Sequence, residues 1–407
     1  MIGIAILGYG VVGAGAGKLL TEQAGRLSRA VGEEIRLKYV VDIRDVPLPA
    51  GVTLAKELDT ALADADVRVV VETIGGKGIA YQYTRRALEA GRHVVSSNKE
   101  LVATHGDELI PLARQKGVRY LYEAAVGGGI PVLFPIYELL CASPITRVTG
   151  IVNGTTNYIL TRMKEANASF PAALGEAREL GYLESDPSAD LDGWDARRKL
   201  AILAHACFGA KLADDAKIPF EGISRIAWED VNLAEKMGAQ VKLIAHGRRT
   251  ASGWTGWVGP ALLPNAHPLC VARDVFNAIC VTGEAVGDVM FYGRGAGSLP
   301  TASAVVGDIL HAAMVDVHVH PTFANQAEPA KELTFTNNWT TKYYIRVSAI
   351  DAPGVLSAVA GCFAKENVSI ASMMQKGSVE DGRVPLVFIT HAASEQAMQA
   401  ALSSLDP

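Results

Sequence analysis

The sequence predicts an α/β protein whose first domain is a doubly wound parallel sheet, followed by an α+β domain and a small βαββα module. Three observations support this: short apolar strands alternate with helices early in the chain, 407 residues suffice for two or three domains, and the strand–helix order changes near the C-terminus. We place the first domain at 1–130, completed by about 296–320, and the second at 131–295. A linker at 331–342 leads to the module at 343–407.

Composition narrows the class of protein. The chain is 49% hydrophobic and 20% charged, which is typical of a globular protein, and its net charge of −5 is dispersed, which argues against a nucleic-acid partner. No apolar run approaches the roughly 20 residues of a membrane span, so no membrane association is expected. The five cysteines are scattered without CxxC spacing, and the N-terminus has no basic leader, so we expect a reducing, cytoplasmic location.

The first domain contains five predicted strands. They are the short apolar runs at 2–7, 37–41, 67–72, 93–96 and 119–122. Helices are predicted from the end of the first strand to about Ala30, then over 81–90 and 101–116. Strands that alternate with helices in this way form βαβ units, and βαβ units build a parallel sheet.

A glycine-rich turn, GYGVVG, joins the first strand to its helix. Gly8 permits the tight turn, Gly10 lets the backbone approach a pyrophosphate, and Gly13 lets the helix pack on the strand. Val11 and Val12 open the helix, whose N-terminal N–H groups attract phosphate. Because the motif lies between a strand and a helix, it predicts a Rossmann-type domain that binds NAD or NADP.

Further cofactor-facing residues are expected at the carboxyl ends of the strands, where parallel sheets bind ligands. Thr73 follows the third strand, and Ser97 and Lys99 follow the fourth. After the second strand, Asp42 would accept ribose hydroxyls and favour NAD, whereas Arg44 would hold a 2′-phosphate and favour NADP. The sequence therefore leaves the choice between the two cofactors open.

Two polar loops of the second domain are candidates for binding. The turn at 123–131, EAAVGGGIP, offers backbone carbonyls and Glu123 to a hard monovalent ion, although chemistry alone favours a flexible domain hinge. The loop at 153–157, NGTTN, offers amide and hydroxyl donors suited to a small carboxylate, or it is an ordinary capped turn. A second glycine-rich loop, at 293–301, precedes a helix predicted over 302–314.

The stretch at 181–199, GYLESDPSADLDGWDARRK, holds the densest charge in the chain. A helix is predicted to start near Asp192, and Asp195 and Lys199, four residues apart, would share one face of it. One interpretation is a capped helix with a surface salt bridge, which would contribute roughly 0.3–0.5 kcal/mol. The other is the wall of a pocket for a substrate that carries an ammonium group, with a lysine directed at the reacting atom.

Four motifs occur together in order and spacing: GYGVVG, SSNKEL, the pair NGTTNYIL and GYLESDPSADLDGWDARRKLAIL, and GRGAGSLPTASAVVGDI. Over about 1–320 they resemble homoserine dehydrogenase. The resemblance implies reversible NAD(P)H-dependent reduction of L-aspartate 4-semialdehyde to L-homoserine, in the biosynthesis of threonine, methionine and isoleucine. It also implies that residues 131–295 bind the substrate and form a homodimer or homotetramer.

The resemblance assigns roles to individual residues. Lys199 and Lys99 are implied as catalytic together with Asp195, with Lys199 as proton donor. The implied substrate contacts are Glu184, Asp195, Tyr182, Asp190 and Thr155. Gly181 and Gly297 resemble family cofactor contacts. Glu123, Val126, Gly128 and Ile130 match a site for a monovalent cation, Na⁺ or K⁺.

The last 65 residues have βαββα order and the motif DxPGVL at Asp351, which resembles the ACT domain. That resemblance implies an amino-acid-binding regulatory module, with threonine as the expected effector, although the last strand of the ACT pattern is missing. Two alternatives stay open: another ACT-bearing dehydrogenase, acting on a 2-hydroxy acid, and a regulator without activity. The first would depend on a His–carboxylate pair, and the second would not need both lysines.

Overall fold

The computed structural model describes residues 1–183, 186–314, 333–375 and 382–405. The chain divides into two compact units, Met1–Thr334 and Phe335–Pro407. The larger unit contains two six-stranded sheets with helices around them, and the smaller unit contains a three-stranded sheet with two helices. In the described residues no helix is long and apolar enough to cross a membrane. All five cysteines are free thiols.

The first sheet is parallel and has the spatial order β3-β2-β1-β4-β5-β6, in which strand order reverses between β1 and β4. Its strands are β1 (Ile2–Leu7), β2 (Ile35–Val41), β3 (Thr53–Ala55), β4 (Val67–Glu72), β5 (His93–Ser96) and β6 (Tyr120–Leu121). This is the order of a dinucleotide-binding sheet, and a ligand crevice is expected where the order reverses. The doubly wound fold is therefore confirmed.

Helices cover both faces of this sheet. They are α1 (Val11–Glu22), α2 (Ala24–Val31), α3 (Leu58–Leu62), α4 (Ile79–Glu89) and α5 (Lys99–Gln115). The single helix predicted to about Ala30 is two helices that meet at Gln23, whose backbone leaves the helical region at φ −109°, ψ 11°. Strand β3 (Thr53–Ala55) was not predicted, because its three residues, Thr-Leu-Ala, carry too little periodicity to show a strand.

The second sheet is antiparallel, with its long strands in the order β11-β10-β7-β8-β9. These strands are β7 (Ile145–Ile151), β8 (Ala239–Arg249), β9 (Gly253–Pro264), β10 (Phe276–Gly283) and β11 (Gly287–Arg294). The helices of this part are α6 (Gly154–Glu165), α7 (Phe170–Glu179), α8 (Ser188–Leu191), α9 (Trp194–Phe208) and α10 (Trp228–Lys236). The helix predicted to start near Asp192 is α9, and the one-turn α8 precedes it.

A late helix, α11 (Ser298–Met314), returns to the first sheet. Its buried residues Ala302, Val305 and Ile309 belong to the same apolar core as Ile4 and Val69 of the parallel sheet. Gly15 of α1 permits this contact, since a Cβ there would lie 2.8 Å from Ser298 Oγ and 3.1 Å from Ala302 Cβ. Helix α11 therefore packs on the nucleotide-binding half, although more than a hundred residues separate the two in the chain.

The smaller unit contains β14 (Tyr344–Ile350), α12 (Val355–Lys365), β15 (Ile370–Gln375), β16 (Arg383–Thr390) and α13 (Glu395–Ser403). Its sheet has the order β14-β16-β15, and Phe363 and Phe388 form the centre of its core. Thr334–Phe335 (β12) is a two-residue strand at the boundary of the units. Thr340–Thr341 (β13), inside the predicted linker, pairs with Ala393–Ser394 (β17), so part of that linker is ordered structure.

Candidate active site

One buried carboxylate lies between two lysines. Asp195 is in the first turn of α9 and only 3% exposed, and Lys199 Nζ, one turn later, donates to its Oδ2 at 2.7 Å. Lys99, the first residue of α5, places its Nζ 2.6 Å from the other oxygen, Oδ1. Lys199 also donates to the carbonyl oxygen of Val152 at 2.8 Å. The pair predicted from spacing is therefore buried, and the surface salt-bridge interpretation is wrong.

The two ammonium groups keep this carboxylate ionised. Burial raises the pKa of Asp195, but the charges of Lys199 and Lys99 outweigh burial and hold that pKa well below its usual range. For Lys199 the balance is different: burial lowers its pKa and the Lys99 charge adds to the lowering, against the opposing pull of Asp195. A lysine with a lowered pKa gives up its proton more readily than an exposed one, which suits a proton donor.

Asn153, the first residue of the polar loop at 153–157, joins two carboxylates. Asn153 Nδ2 donates to Asp190 Oδ1 at 2.7 Å and to Asp195 Oδ2 at 2.9 Å, and its Oδ1 caps α6 by accepting from the Thr156 amide. Burial and the Asp195 charge raise the pKa of Asp190, and the bond from Asn153 opposes both. The sequence indicated amide donors and a capping position in this loop, but not the bridge, because the bridge depends on where β7 ends relative to α8 and α9.

We expect Asn153→Ser to lower kcat/KM for the substrate by about 10- to 100-fold, the scale of hydrogen bonds to charged groups. Serine keeps the cap of α6 but cannot bridge Asp190 and Asp195. Steady-state kinetics measure the loss. Wild-type kcat/KM in this variant would remove Asn153 from the site.

The remaining predicted substrate residues lie near the start of α6. Thr155 Oγ1 donates to the Tyr182 carbonyl at 3.0 Å, and the Tyr182 ring packs edge-on against Tyr158 with ring centres 5.0 Å apart. Gly181 has a left-handed backbone, φ +74°, between α7 and Tyr182. These contacts bring Thr155 and Tyr182 together. Glu184 lies outside the described residues.

The glycine turn fits a dinucleotide. Gly8 has φ +84°, and a Cβ on Gly13 would lie 2.1 Å from the Gly8 carbonyl oxygen, so neither position tolerates a side chain. Nothing lies within 4 Å of a Cβ position on Gly10, which leaves the turn open for a phosphate. Helix α1 has no side-chain cap and no acidic residue in its first turn. Its first N–H groups are thus available to an anion.

The neighbouring cofactor candidates are held by hydrogen bonds. Thr73 Oγ1 lies 2.7 Å from the Gly8 carbonyl and 3.0 Å from the Leu7 carbonyl, so its hydroxyl supports the glycine turn. The amide of Ser97 donates to the Glu72 carbonyl at 3.3 Å. Ser298, which follows Gly297 (φ +119°), donates to the Val11 carbonyl at 2.9 Å. The second glycine-rich loop therefore contacts the start of α1.

Asp42 and Arg44, between which the cofactor choice was left open, bind each other. Arg44 Nη2 and Nε donate to Asp42 at 2.8 and 3.0 Å, and the amides of Tyr9 and Arg44 donate to the same carboxylate at 2.8 and 2.9 Å. Together these bonds hold the pKa of Asp42 well below its usual range, and the bonds from the Arg44 side chain contribute most to that lowering. Asp42 is only 7% exposed, whereas the Arg44 side chain is 60% exposed.

In the turn at 123–130, the Glu123 carboxylate accepts hydrogen bonds, whereas several backbone carbonyls are available to a ligand. Glu123 accepts from the amides of Val132, Leu133 and Phe134 at 2.5, 2.8 and 2.6 Å. Among the described residues, the backbone hydrogen bonds of turns and loops do not use the carbonyls of Val126, Gly128 or Ile130. Nor do the described residues contain a cluster of three or more metal-binding side chains. Any cation here would be held by backbone oxygens.

Comparison with known proteins identifies three matching regions. The family model described as homoserine dehydrogenase matches residues 131–310, its NAD binding domain matches 8–123, and the ACT domain matches 343–407. A homoserine dehydrogenase of Neisseria gonorrhoeae is 38% identical over 100% of this chain and 95% of its own length.

Solved structures agree with these matches. The crystal structure of a homoserine dehydrogenase from Thiobacillus denitrificans has a TM-score of 0.90 and 35% identity, covering 100% of this chain and 94% of the other. A hyperthermophilic archaeal homoserine dehydrogenase in complex with NADPH has a TM-score of 0.64 and 26% identity, covering 76% of this chain and 97% of the other.

Proposed function

The chain belongs to the homoserine dehydrogenase family of NAD(P)-dependent oxidoreductases, and on that basis we propose that it reversibly reduces L-aspartate 4-semialdehyde to L-homoserine through Lys199, Lys99 and Asp195. One observation carries the proposal: a buried carboxylate holds two lysine ammonium groups, at 2.7 and 2.6 Å. Reduction of an aldehyde creates an alkoxide, and positive charge in a water-poor site stabilises it.

Lys199 is the proposed proton donor. Two of its N–H bonds are directed to Asp195 and Val152, which fixes the ammonium group and leaves one N–H for the substrate oxygen. Lys99 stabilises the same developing charge from the other side of Asp195. Asp195 keeps both lysines in place and compensates their charge, since buried ammonium groups without a counter-charge lose their protons.

The carboxylates of Asp190 and Asp195 suit the ammonium end of an amino-acid substrate. We assign that end to Asp190, Asp195 and Glu184, with Thr155 and Tyr182 beside it. Asn153 supports the assignment because it holds Asp190 and Asp195 within reach of one donor group. A 2-hydroxy acid, which lacks an ammonium group, would gain nothing from two bridged carboxylates.

The cofactor site uses the turn Gly8–Gly10, the start of α1, and the strand-end residues Thr73 and Ser97, with Gly181 and Gly297 nearby. When bound, NAD(P)H supplies the hydride. We propose that NADPH is preferred, because the exposed Arg44 guanidinium can exchange its carboxylate partner for a 2′-phosphate, whereas the acceptor capacity of Asp42 is largely used.

The rate of the reduction should fall at alkaline pH, at values below the ordinary lysine pKa of about 10.4. A general acid must carry its proton, and burial lowers the pKa of Lys199, so the protonated form is lost as pH rises through that lowered value. The reverse oxidation, which needs the neutral amine, should gain rate over the same range. Measuring kcat against pH for the reduction and for the oxidation tests this. If both rates rose, or both fell, over the alkaline range, the proposed role of Lys199 would be contradicted.

We also propose that a monovalent cation, Na⁺ or K⁺, binds the turn at 123–130 through backbone carbonyls, while Glu123 keeps its side chain on the amides of 132–134. The left-handed Gly127 and Gly128, φ +74° and +58°, shape the turn. Exchanging Na⁺ and K⁺ for tetramethylammonium should lower the melting temperature if a small cation binds here. An identical melting temperature in all three salts would exclude it.

The smaller unit is proposed to regulate the enzyme by binding threonine, the end product of the proposed pathway, which also leads to methionine and isoleucine. Gly354, with φ +91°, precedes α12, which has no side-chain cap, and the Val355 amide donates to the Ala352 carbonyl at 3.4 Å. The amides that follow Val355 in the first turn are suited to a carboxylate. Added threonine should therefore inhibit turnover, and Asp351→Ala should relieve that inhibition. Equal turnover with and without threonine would contradict the proposal that the smaller unit regulates the enzyme by binding threonine.

The assembly is proposed to be a homodimer or homotetramer in the cytoplasm. Strand β11 lies at the edge of the second sheet, and its Met290 and Tyr292 are 38% and 48% exposed. An exposed edge with apolar side chains is suited to pair with a second copy. Sedimentation equilibrium measures the assembly, and a monomer at micromolar concentration would contradict the proposal.

One assay tests the reaction itself. Purified full-length protein is mixed with L-aspartate 4-semialdehyde and NADPH, and oxidation is followed at 340 nm beside a parallel reaction with NADH. Product analysis must show homoserine. Pyruvate and other 2-oxo acids serve as controls for the alternative dehydrogenase, and consumption of a 2-oxo acid without consumption of the semialdehyde would overturn the proposed substrate.

A further inference from the structure

A carboxylate that the mechanism does not use is buried where the strand order of the parallel sheet reverses. Glu72 is the last residue of β4, and its side chain has no exposed surface. The preceding residues of the strand, Val-Arg-Val-Val-Val, carry no acid, so an acid at its carboxyl end stands out from the strand pattern. Burying a carboxylate is costly unless donors surround it.

One oxygen of Glu72 shapes the turn that follows β4. Its Oε1 accepts from the amides of Ile74 at 2.9 Å and Gly75 at 3.2 Å. Gly75 and Gly76 have left-handed backbones, φ +84° and +66°, so the turn requires outside support to keep one conformation. This turn is the neighbour of the Gly8 turn, to which Thr73 is bonded.

The other oxygen reaches the start of α5. Ser96 Oγ donates to Glu72 Oε2 at 2.7 Å, and the same hydroxyl accepts from the Asn98 amide at 3.1 Å. Asn98 Nδ2 donates to the Gly76 carbonyl at 2.6 Å and lies 3.4 Å from Glu72 Oε1. Its Oδ1 caps α5 by accepting from the Leu101 amide at 3.0 Å.

The residue after Asn98 is Lys99. Its side chain is 41% exposed, so packing around the side chain restrains it less than it restrains the buried Lys199. A long, partly exposed lysine loses about 2 kcal/mol of rotamer freedom when it is fixed, so the position of its backbone matters for where the ammonium group lies. Glu72, Ser96 and Asn98 fix that backbone from the sheet side.

We propose that Glu72 is a positioning residue for Lys99: through Ser96 and the Asn98 cap, it sets the start of α5 so that the Lys99 ammonium group meets Asp195. The inference rests on the proposed role of Lys99 in the reaction. The hydrogen bonds of Glu72 reach the turn after β4 and Ser96, and we propose that it acts through the backbone between residues 96 and 99.

Glu72→Asp tests the reach of the carboxylate. It retains the carboxyl group but withdraws it by about 1.5 Å, one carbon–carbon bond, so the group cannot reach both the turn after β4 and the start of α5. We expect kcat to fall at least about tenfold, because an ångström of misplacement can cost that much or more. Glu72→Gln keeps the length of the side chain and one acceptor oxygen. Its kcat should stay within about threefold of wild type, because the group is not displaced. Asp230→Asn, at a 4%-exposed carboxylate that caps α10, is the matched control.

A double-mutant cycle shows whether Glu72 acts through Lys99. In a Lys99→Ala background, Glu72→Asp should lower kcat by no more than about twofold, since two residues that act through one group are not additive. If Glu72→Asp does not fold, Asn98→Ser replaces it in the cycle, because serine keeps the cap of α5 and breaks the link to Gly76 and Glu72. The dissociation constant of NADPH, from fluorescence titration, should change by less than about threefold in Asn98→Ser.

The outcomes distinguish a failure of the proposed role of Lys99 from a failure of the role inferred for Glu72. An unchanged kcat in Lys99→Ala overturns the proposed role of Lys99, and the inference with it. A lowered kcat in Lys99→Ala, together with an undiminished effect of Glu72→Asp or Asn98→Ser in that background, overturns the inference alone. A loss of kcat in Glu72→Gln equal to that in Glu72→Asp would also overturn it, because length would then not matter.

Discussion

Replacing Lys199 with methionine is expected to lower kcat for the reduction by roughly two to four orders of magnitude, the usual contribution of a positioned acid or base. Methionine has a similar length and suits a buried position, so the main loss is the ammonium group. NADPH binding should stay close to wild type, because the proposed cofactor turn is built from other elements. Stopped-flow or steady-state oxidation of NADPH measures kcat, and fluorescence titration measures binding.

The chain offers a matched control for this variant. Lys242 is a second buried lysine, 2% exposed, whose Nζ donates to Asn157 Oδ1 at 2.8 Å and to the Ala272 carbonyl at 2.7 Å. Burial lowers its pKa to about 8. Lys242→Met should reduce stability and leave kcat of the folded enzyme unchanged. If both variants reduced kcat alike, the loss would reflect removal of any buried lysine, and Lys199 would not be the proton donor.

The second large effect is expected for Asp195→Asn, which should lower kcat by about two to three orders of magnitude. The amide is nearly the same shape as the carboxylate but removes the negative charge that lies between Lys99 and Lys199. Repulsion and burial then act together on Lys199, so its pKa should fall further and less of it is protonated at neutral pH. The alkaline limb of the reduction should consequently move to lower pH than in wild type, which a pH–rate profile measures.

Stability should change as well, with a defined dependence on pH. The pKa of Asp195 is lower folded than unfolded, so the carboxylate stabilises the fold above its unfolded pKa, and this stabilisation is lost as pH falls toward the folded value. Urea unfolding of wild type and Asp195→Asn should therefore differ more at pH 7 than at pH 3. Asp214→Asn, at a 3%-exposed carboxylate bonded to Lys217 at 2.8 Å, should lose stability with kcat retained. An Asp195→Asn enzyme with wild-type kcat would contradict the mechanism.

Sequence reasoning predicted the parallel sheet well because buried parallel strands are short, nearly continuous apolar runs. The strands at 2–7, 67–72 and 93–96 have the predicted bounds. It missed Thr53–Ala55, which is too short to have a pattern, and it joined α1 and α2, because Gln23, where the helix breaks, is neither proline nor glycine. Helix α9 starts two residues later than predicted, after the left-handed Gly193.

The site was predictable in proportion to how local its contacts are. Asp195 and Lys199 follow from a spacing of four on one helix. Lys99 could be placed at the crevice by the strand-end rule, but no spacing rule shows that it pairs with a residue 96 positions later. The bridge from Asn153 and the network of Glu72 depend on loops that meet only in the folded chain. For these, the sequence signals were a loop of amide donors at a helix start and an acid at a strand end.

The packing of α11 on α1 has a consequence for how the chain folds during synthesis. Until residues 298–314 leave the ribosome, the face of the first core that Ala302, Val305 and Ile309 cover stays open to solvent. Contacts between such distant segments form late, and exposed apolar surface favours aggregation in the interval. An N-terminal fragment of 130 residues should therefore collapse without completing its core, whereas one extended by a tethered copy of α11 should acquire native-like protection from hydrogen exchange.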